Sequence, residues 1–252
     1  MITGGRVNIG KELVMYFLRK NAIVITTTRF PTCMQTDFSK MENYESFKDR
    51  LFIYGVDFRH RDTVLKVLNH INSTFNSIDI VINCAAQTIK RSSEYHKKEL
   101  QIEISKQITN DDNNVTNNMI VTLPESVSYE LIASNTDQYT NSWTLKMSDI
   151  SDLELMEVHM VNSIVPFMII RQLKDKMIKK TGYSHIVNVT SPEGVFNTYK
   201  NSNHPHTNMA KASLNMLTRT ASHDFKIHNI LMNCTDTGWV TDMLTDSKNT
   251  EK

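Results

Sequence analysis

The run Thr3-Gly4-Gly5-Arg6-Val7-Asn8-Ile9-Gly10 sets three glycines among eight residues, directly ahead of a segment with helical periodicity. Those residue types at that spacing suit the binding of a phosphate. Glycine lets a ligand approach the backbone closely and supplies positive φ where a turn needs it. A helix N-terminus then presents its N–H groups and the positive end of its dipole to the anion. Asn8 stands at a position where a further glycine is expected, and asparagine is the side chain that best tolerates the left-handed region. A glycine turn that merely starts a helix has the same composition, so the motif needs company.

The next apolar run ends Ile25-Thr26-Thr27-Thr28-Arg29. In a dinucleotide-binding unit an acid at this strand end takes the ribose hydroxyls, whereas an arginine accommodates a 2′-phosphate. Thr28 fills the acidic position, Arg29 follows it, and Arg6 adds a second cation nearby. A phosphate with close to two charges pairs well with a guanidinium, so the pattern favours NADP over NAD. The competing reading of Arg29 is a solvated surface charge. Other chemistry-bearing residues point elsewhere or nowhere. His204 and His206 lie two apart with no third ligand in view, so no metal site is expected. Cys33, Cys84 and Cys234 are scattered without metal or redox spacing, which argues against zinc and disulfides and fits a reducing compartment. Cys84 reads as a small buried filler.

These residues need a scaffold, and the chain alternates strand-like and helix-like segments. Ala22–Thr27, Leu51–Val56, Ile78–Ile82 and His185–Val189 are short apolar runs rich in Ile and Val, the pattern of buried strands. Helical periodicity covers Glu12–Leu18, Arg61–Phe75, Leu153–Met177 and Asn208–Phe225, with Pro166 expected to kink the third. Such alternation predicts an α/β fold, a Rossmann-type doubly wound parallel sheet in three α/β/α layers. The 252 residues suit a single domain. The span 92–142 breaks the rhythm: it is polar, carries Asn110-Asp111-Asp112-Asn113-Asn114, and reads as a partly disordered insertion. A surface loop and a lid over the active site are its two readings. A net charge of +1 gives no pull toward nucleic acid or membrane surface. No run of about 18 apolar residues and no leader pattern is visible, so a cytoplasmic protein is expected. With only Met1 and Ile2 ahead of the glycine motif, the first strand is expected to be truncated.

Taken together, the motifs resemble the short-chain dehydrogenase/reductase family, in order and over nearly the whole chain. Thr3 to Gly10 is similar to its T-G-x-x-x-G-x-G. Asp57 matches the acid near the adenine ring. Asn83-Cys84-Ala85-Ala86 resembles N-N-A-G with two departures. Asn162 matches the active-site asparagine, Asn188-Val189-Thr190-Ser191 the strand end carrying the active-site serine, and Thr207-Asn208-Met209-Ala210-Lys211 lies on Y-x-x-x-K. Asn233 to Asp242 resembles N-x-x-x-P-G-x-x-x-T, with Thr237 in place of Pro and Thr241 at the nicotinamide-contacting threonine. The runs His204 to Lys211 and Asp236 to Asp242 further resemble a divergent, uncharacterised subgroup in which the tyrosine is also missing.

The resemblance implies hydride transfer between NADP and an alcohol or carbonyl carbon of a small-molecule substrate. It implies a cofactor cradle of Thr3, Gly4, Gly5, Arg6, Asn8, Ile9, Gly10, Thr28, Arg29, Asp57, Asn83, Ala85, Lys211 and Thr241. It also implies a homodimer or homotetramer formed through the helices Leu153–Met177 and Asn208–Phe225. Ser191 polarises the carbonyl, Lys211 holds the nicotinamide ribose, and Asn162 positions a water. The tyrosine that should move the proton is Thr207. An aliphatic hydroxyl is too weak an acid for that task near neutral pH, and a positioned general acid is worth about 10²–10⁴-fold in rate. His206, whose ordinary pKa suits neutral pH, and Tyr199 are the nearest substitutes in sequence. The alternatives to an active oxidoreductase are a catalytically inactive NADP(H)-binding protein and a partial gene product.

Overall fold

The computed structural model describes residues 1–88, 98–105, 119–121, 142–178 and 181–238. A seven-stranded sheet forms the middle layer, in the order β5-β3-β2-β1-β4-β6-β7. Its strands are β1 (Ile2–Thr3), β2 (Val24–Thr28), β3 (Leu51–Gly55), β4 (Ile80–Asn83), β5 (Met119–Val121), β6 (Ser184–Thr190) and β7 (Ile230–Asp236). Every pairing is parallel. Parallel strands need crossovers, and these put helices on both faces. The sheet residues alternate accordingly. Val24, Ile53 and Ile82 join one apolar cluster with α1 (Asn8–Arg19) and α2 (Pro31–Ser39). Their neighbours Ile25, Tyr54 and Val81 join the opposite cluster with α3 (Arg61–Thr74) and α6 (Val165–Met177). The result is the three-layer doubly wound architecture expected from the alternating pattern.

Three differences from the sequence reading, in the long helix, in α7 and in the span 92–142, have physical causes. The first strand is short, with Ile2 between Thr26 and Ile82 and the Met1 amino group donating to the Ile80 carbonyl at 2.6 Å. Burial pushes that amine down to about 5, against the opposing pull of Asp79. The long helix is not simply kinked at Pro166. It runs as α5 (Asp152–His159), a π-helical turn (Met160–Ile164) and α6, with Pro166 in the first turn of α6. Proline has no N–H and its ring crowds the carbonyl four residues back, and a wider turn relieves both problems. Although Asp152–Met177 has the length and mean hydropathy, 1.4, of a membrane-crossing helix, Ile169, Leu173 and Met177 are fully buried in the core.

The last helix, α7 (Pro205–Ile227), starts earlier than the periodicity suggests, because Pro205 takes the first helical position that suits its fixed φ. His204 turns the chain into it with φ 42°. Within the span 92–142, residues 98–105 are helical (α4) and Met119–Val121 pair with β3 as an edge strand, so the insertion adds to the sheet. The Asn/Asp-rich run 110–114 lies outside the described residues.

Candidate active site

The strand order reverses between β1 and β4: the chain builds outward through β2 and β3, then returns to β4 on the other side. Ligands of open α/β sheets bind in the crevice at such a switch point, beyond the carboxyl ends of the strands. Thr3 ties the two strand ends together, its Oγ1 accepting the N–H groups of Cys84 and Ala85, both at 2.9 Å. The glycine turn follows at once. Gly4 has φ +73°, and its N–H and that of Gly5 bond to the Thr27 carbonyl. A side chain at Gly10 would meet the Gly4 carbonyl oxygen at 2.1 Å, so only glycine lets α1 begin this close to the turn. Asn8 takes φ 48°, the left-handed conformation its residue type allows. Val7 gives α1 no side-chain cap, and first-turn amides have no partner within their own helix. Asn8, Ile9 and Gly10 thus stand at the N-terminus of α1, where a phosphate could be held.

The second strand leads to the other end of the crevice. Thr28 is used locally, its Oγ1 accepting the Phe30 N–H at 3.1 Å. Arg29 is exposed, with its guanidinium 5.6 Å from the Phe30 ring, and Arg6 lies 5.0 Å from the same ring. Asp57 is held by Arg59 through several hydrogen bonds, the shortest 2.6 Å, and Arg59 also reaches Glu157 of α5 at 3.5 Å. Burial alone would raise the Asp57 pKa, but the Arg59 bonds and charge outweigh it and hold the carboxyl below the usual range. Asp57 thus acts at least as an anchor between the β3 end and α5.

On the opposite side, Asn83, Asn188 and Thr218 form a buried polar ladder. Asn83 donates to Asn188 at 2.7 Å, and Asn188 donates to Thr218 at 2.8 Å. The ladder pins β4 to β6 and β6 to α7 beneath the site. Sequence reasoning assigned Asn188 and Thr218 no role, although an asparagine inside the apolar β6 run was a visible anomaly. Asn162 occupies the π turn and clasps Gln87 at both backbone groups: its Oδ1 accepts the Gln87 N–H at 2.7 Å and its Nδ2 donates to the Gln87 carbonyl at 2.9 Å. Gln87 also donates to Glu157 at 3.2 Å. This stretch after β4 is therefore fixed by α5 and the π turn.

Lys211 lies on the sheet-facing side of α7, 7% exposed, with Nζ donating to the Val189 carbonyl at 3.0 Å. Burial lowers its pKa, against smaller raising effects from Cys84, Glu193 and Cys234. Burial likewise raises the Cys84 thiol, although Cys84 is only partly buried and not the fully buried filler expected. Thr207 is one helical turn before Lys211 on the same side, 2% exposed, and its Oγ1 has no hydrogen-bond partner among the described residues. Ser191 closes β6 in extended backbone. His206 is directed at α5, with Nε2 3.4 Å from Glu154 Oε1 and both side chains buried. Tyr199 is 92% exposed. Thr241 lies outside the described residues. Among the described residues no group of three or more potential metal ligands occurs.

The family model for short chain dehydrogenases matches residues 1–110 and 132–252, and the chain belongs to that family. An uncharacterized protein of Acanthamoeba polyphaga mimivirus is 30% identical over 230 residues, covering 87% of this chain. The chain spans 49% of that relative's length. Among solved structures, a metagenomic short-chain oxidoreductase in complex with NADP shares the fold at TM-score 0.64 and 14% identity, over 95% of this chain and 81% of that one. A 4-hydroxyisoleucine dehydrogenase complexed with NADH does so at TM-score 0.66 and 18% identity, over 98% and 77%.

Proposed function

We propose that the protein is an NADP(H)-dependent oxidoreductase acting on an alcohol or carbonyl group of a small molecule. The observation that carries the cofactor reading is the end of β2, where Thr28 is spent on the Phe30 amide and the exposed Arg29 follows. The cradle Thr3 to Gly10, with Ala85 and Asn83 behind it, holds the dinucleotide. A bound nicotinamide supplies or accepts the hydride. Lys211 binds the ribose hydroxyls, a role its buried ammonium fits because new oxygen partners would repay part of its desolvation. Ser191 hydrogen-bonds the substrate oxygen. Asn162 keeps the segment after β4 in place for the nicotinamide side of the crevice. Thr207 offers the substrate a neutral hydroxyl in place of a phenol. His206 contributes a proton only if its ring turns away from Glu154.

Replacing Arg29 tests the cofactor reading. Arg29→Ala is expected to weaken NADPH binding by about tenfold, the worth of roughly 1.4 kcal/mol, and to leave NADH binding nearly unchanged. An unaltered NADPH preference in that variant would remove Arg29 from the site.

A second reading is favoured by one specific observation, the partnerless buried hydroxyl of Thr207. In that reading the protein binds NADP(H) and does not turn over. Binding without NADPH oxidation across a panel of aldehydes and ketones supports it. Met156, Ile164 and Phe167 on α5, the π turn and α6, with Met209 and Met216 on α7, are exposed apolar residues. They support self-association through these helices as a homodimer or homotetramer.

A further inference from the structure

We propose that α4 carries a built-in anion that occupies the adenosine-ribose end of the cofactor crevice. Glu103 holds the amides a ribose 2′-phosphate would use, so docking of α4 and binding of NADP(H) exclude one another. The inference rests on the NADP reading above and deepens it by assigning that subsite a competitor within the chain.

The geometry is specific. Glu103 is 1% exposed, and its two carboxylate oxygens accept the N–H groups of Thr32 and Cys33 at 2.6 and 2.8 Å. These are first-turn amides of α2, whose preceding residue Phe30 gives no side-chain cap and whose first residue is Pro31. Thr32 and Cys33 are thus the amides that a helix leaves for an outside anion. They lie three and four residues beyond Arg29, at the strand end where the cofactor's ribose phosphate is read.

The second contact comes from the same helix. Glu99, one turn before Glu103, reaches Arg6 of the glycine turn at 3.3 Å. Arg6 in turn lies over Phe30. One face of α4 therefore supplies two carboxylates, to a helix N-terminus and to a cation of the phosphate-binding turn. Burying a glutamate costs free energy unless it is fully hydrogen-bonded, and here the amides that satisfy it belong to the proposed 2′-phosphate subsite. NADH has no 2′-phosphate and does not contest Glu103.

The docked state reduces the apparent affinity for NADPH by the fraction of molecules in which α4 is undocked. The double variant Glu99→Gln/Glu103→Gln removes both charges and leaves one acceptor oxygen at position 103 where the carboxylate offers two. It is expected to bind NADPH about tenfold more tightly than the native chain, with NADH affinity changed by less than about twofold. Hydrogen exchange on the unaltered protein gives a test that does not depend on a variant folding. Adding 2′,5′-ADP is expected to speed exchange in residues 98–105, while 5′-ADP leaves it unchanged. Unchanged or slowed exchange with 2′,5′-ADP, unaltered NADPH affinity in a folded double variant, or weakened NADH binding there would overturn the proposal. The last result would make Glu103 a ribose ligand. If the native chain and the variant bind neither cofactor, the NADP reading falls and this one with it. An Arg29-dependent NADPH preference that ignores Glu99 and Glu103 overturns the competition alone.

Discussion

Thr207 and Lys211 share one side of α7 and meet opposite demands. Lys211 is a buried cation with one carbonyl partner for Nζ among the described residues, Val189. Thr207 is a buried hydroxyl with none among the described residues. A buried polar group without a partner costs about 1–3 kcal/mol, so both side chains are retained at the expense of stability unless a ligand uses them. Lys211→Met is accordingly expected to hold or raise the melting temperature while weakening NADPH binding. A clear loss of thermal stability with unchanged binding would make Lys211 structural. Thr207→Tyr is expected to give no strong carbonyl reductase activity, because Thr207 is 2% exposed and a phenol there overfills the space its small side chain occupies. A large gain in NADPH oxidation with aldehyde or ketone substrates would refute that. His206 shows how neighbours in sequence separate in space: one position from Thr207 turns its ring onto α5 and Glu154.

The π turn shows an element shaped by two residues at once. Pro166 forbids a regular hydrogen bond to the carbonyl of Asn162, and the widened turn leaves the Asn162 side chain bonded to both backbone groups of Gln87. Asn162→Ala removes both partners from a part-buried segment, and chemical denaturation is expected to report a loss of about 1–3 kcal/mol. Unchanged stability would mean that water replaces the clasp freely. The sequence announced a disturbance at Pro166 but not its form, since periodicity alone does not separate a kink from a widened turn. Strand placement was legible wherever Ile and Val run together, as at Ile25 and Ile53, with ends displaced by a residue or two: β2 begins at Val24, not Ala22, and β4 at Ile80, not Ile78. Asn8 was legible because few residue types accept φ 48°. Helix α4 was not, because a polar stretch gives no apolar stripe. Glu103 is buried by hydrogen bonds to residues about seventy positions away, which no local pattern encodes.

At the scale of the whole molecule, one crevice is bounded by contributions from every part of the described chain. The glycine turn and β2 end supply one half, β6 and α7 the other, and the residues that bind them together are mostly not the ones that would touch a ligand. Thr3 ties β1 to β4, Asn188 ties β4 to β6 and α7, and Arg59 ties the β3 end to α5. The family's motif order was readable in advance. The ties themselves emerged only when the chain was folded, because the partners are far apart in sequence. The account depends most on the claim that this crevice takes a phosphorylated nicotinamide dinucleotide. Calorimetric titration of the unaltered protein with NADPH and separately with NADH tests it directly. The account predicts saturable binding of both with NADPH the tighter; equal affinities, a preference for NADH, or no binding of either would contradict it.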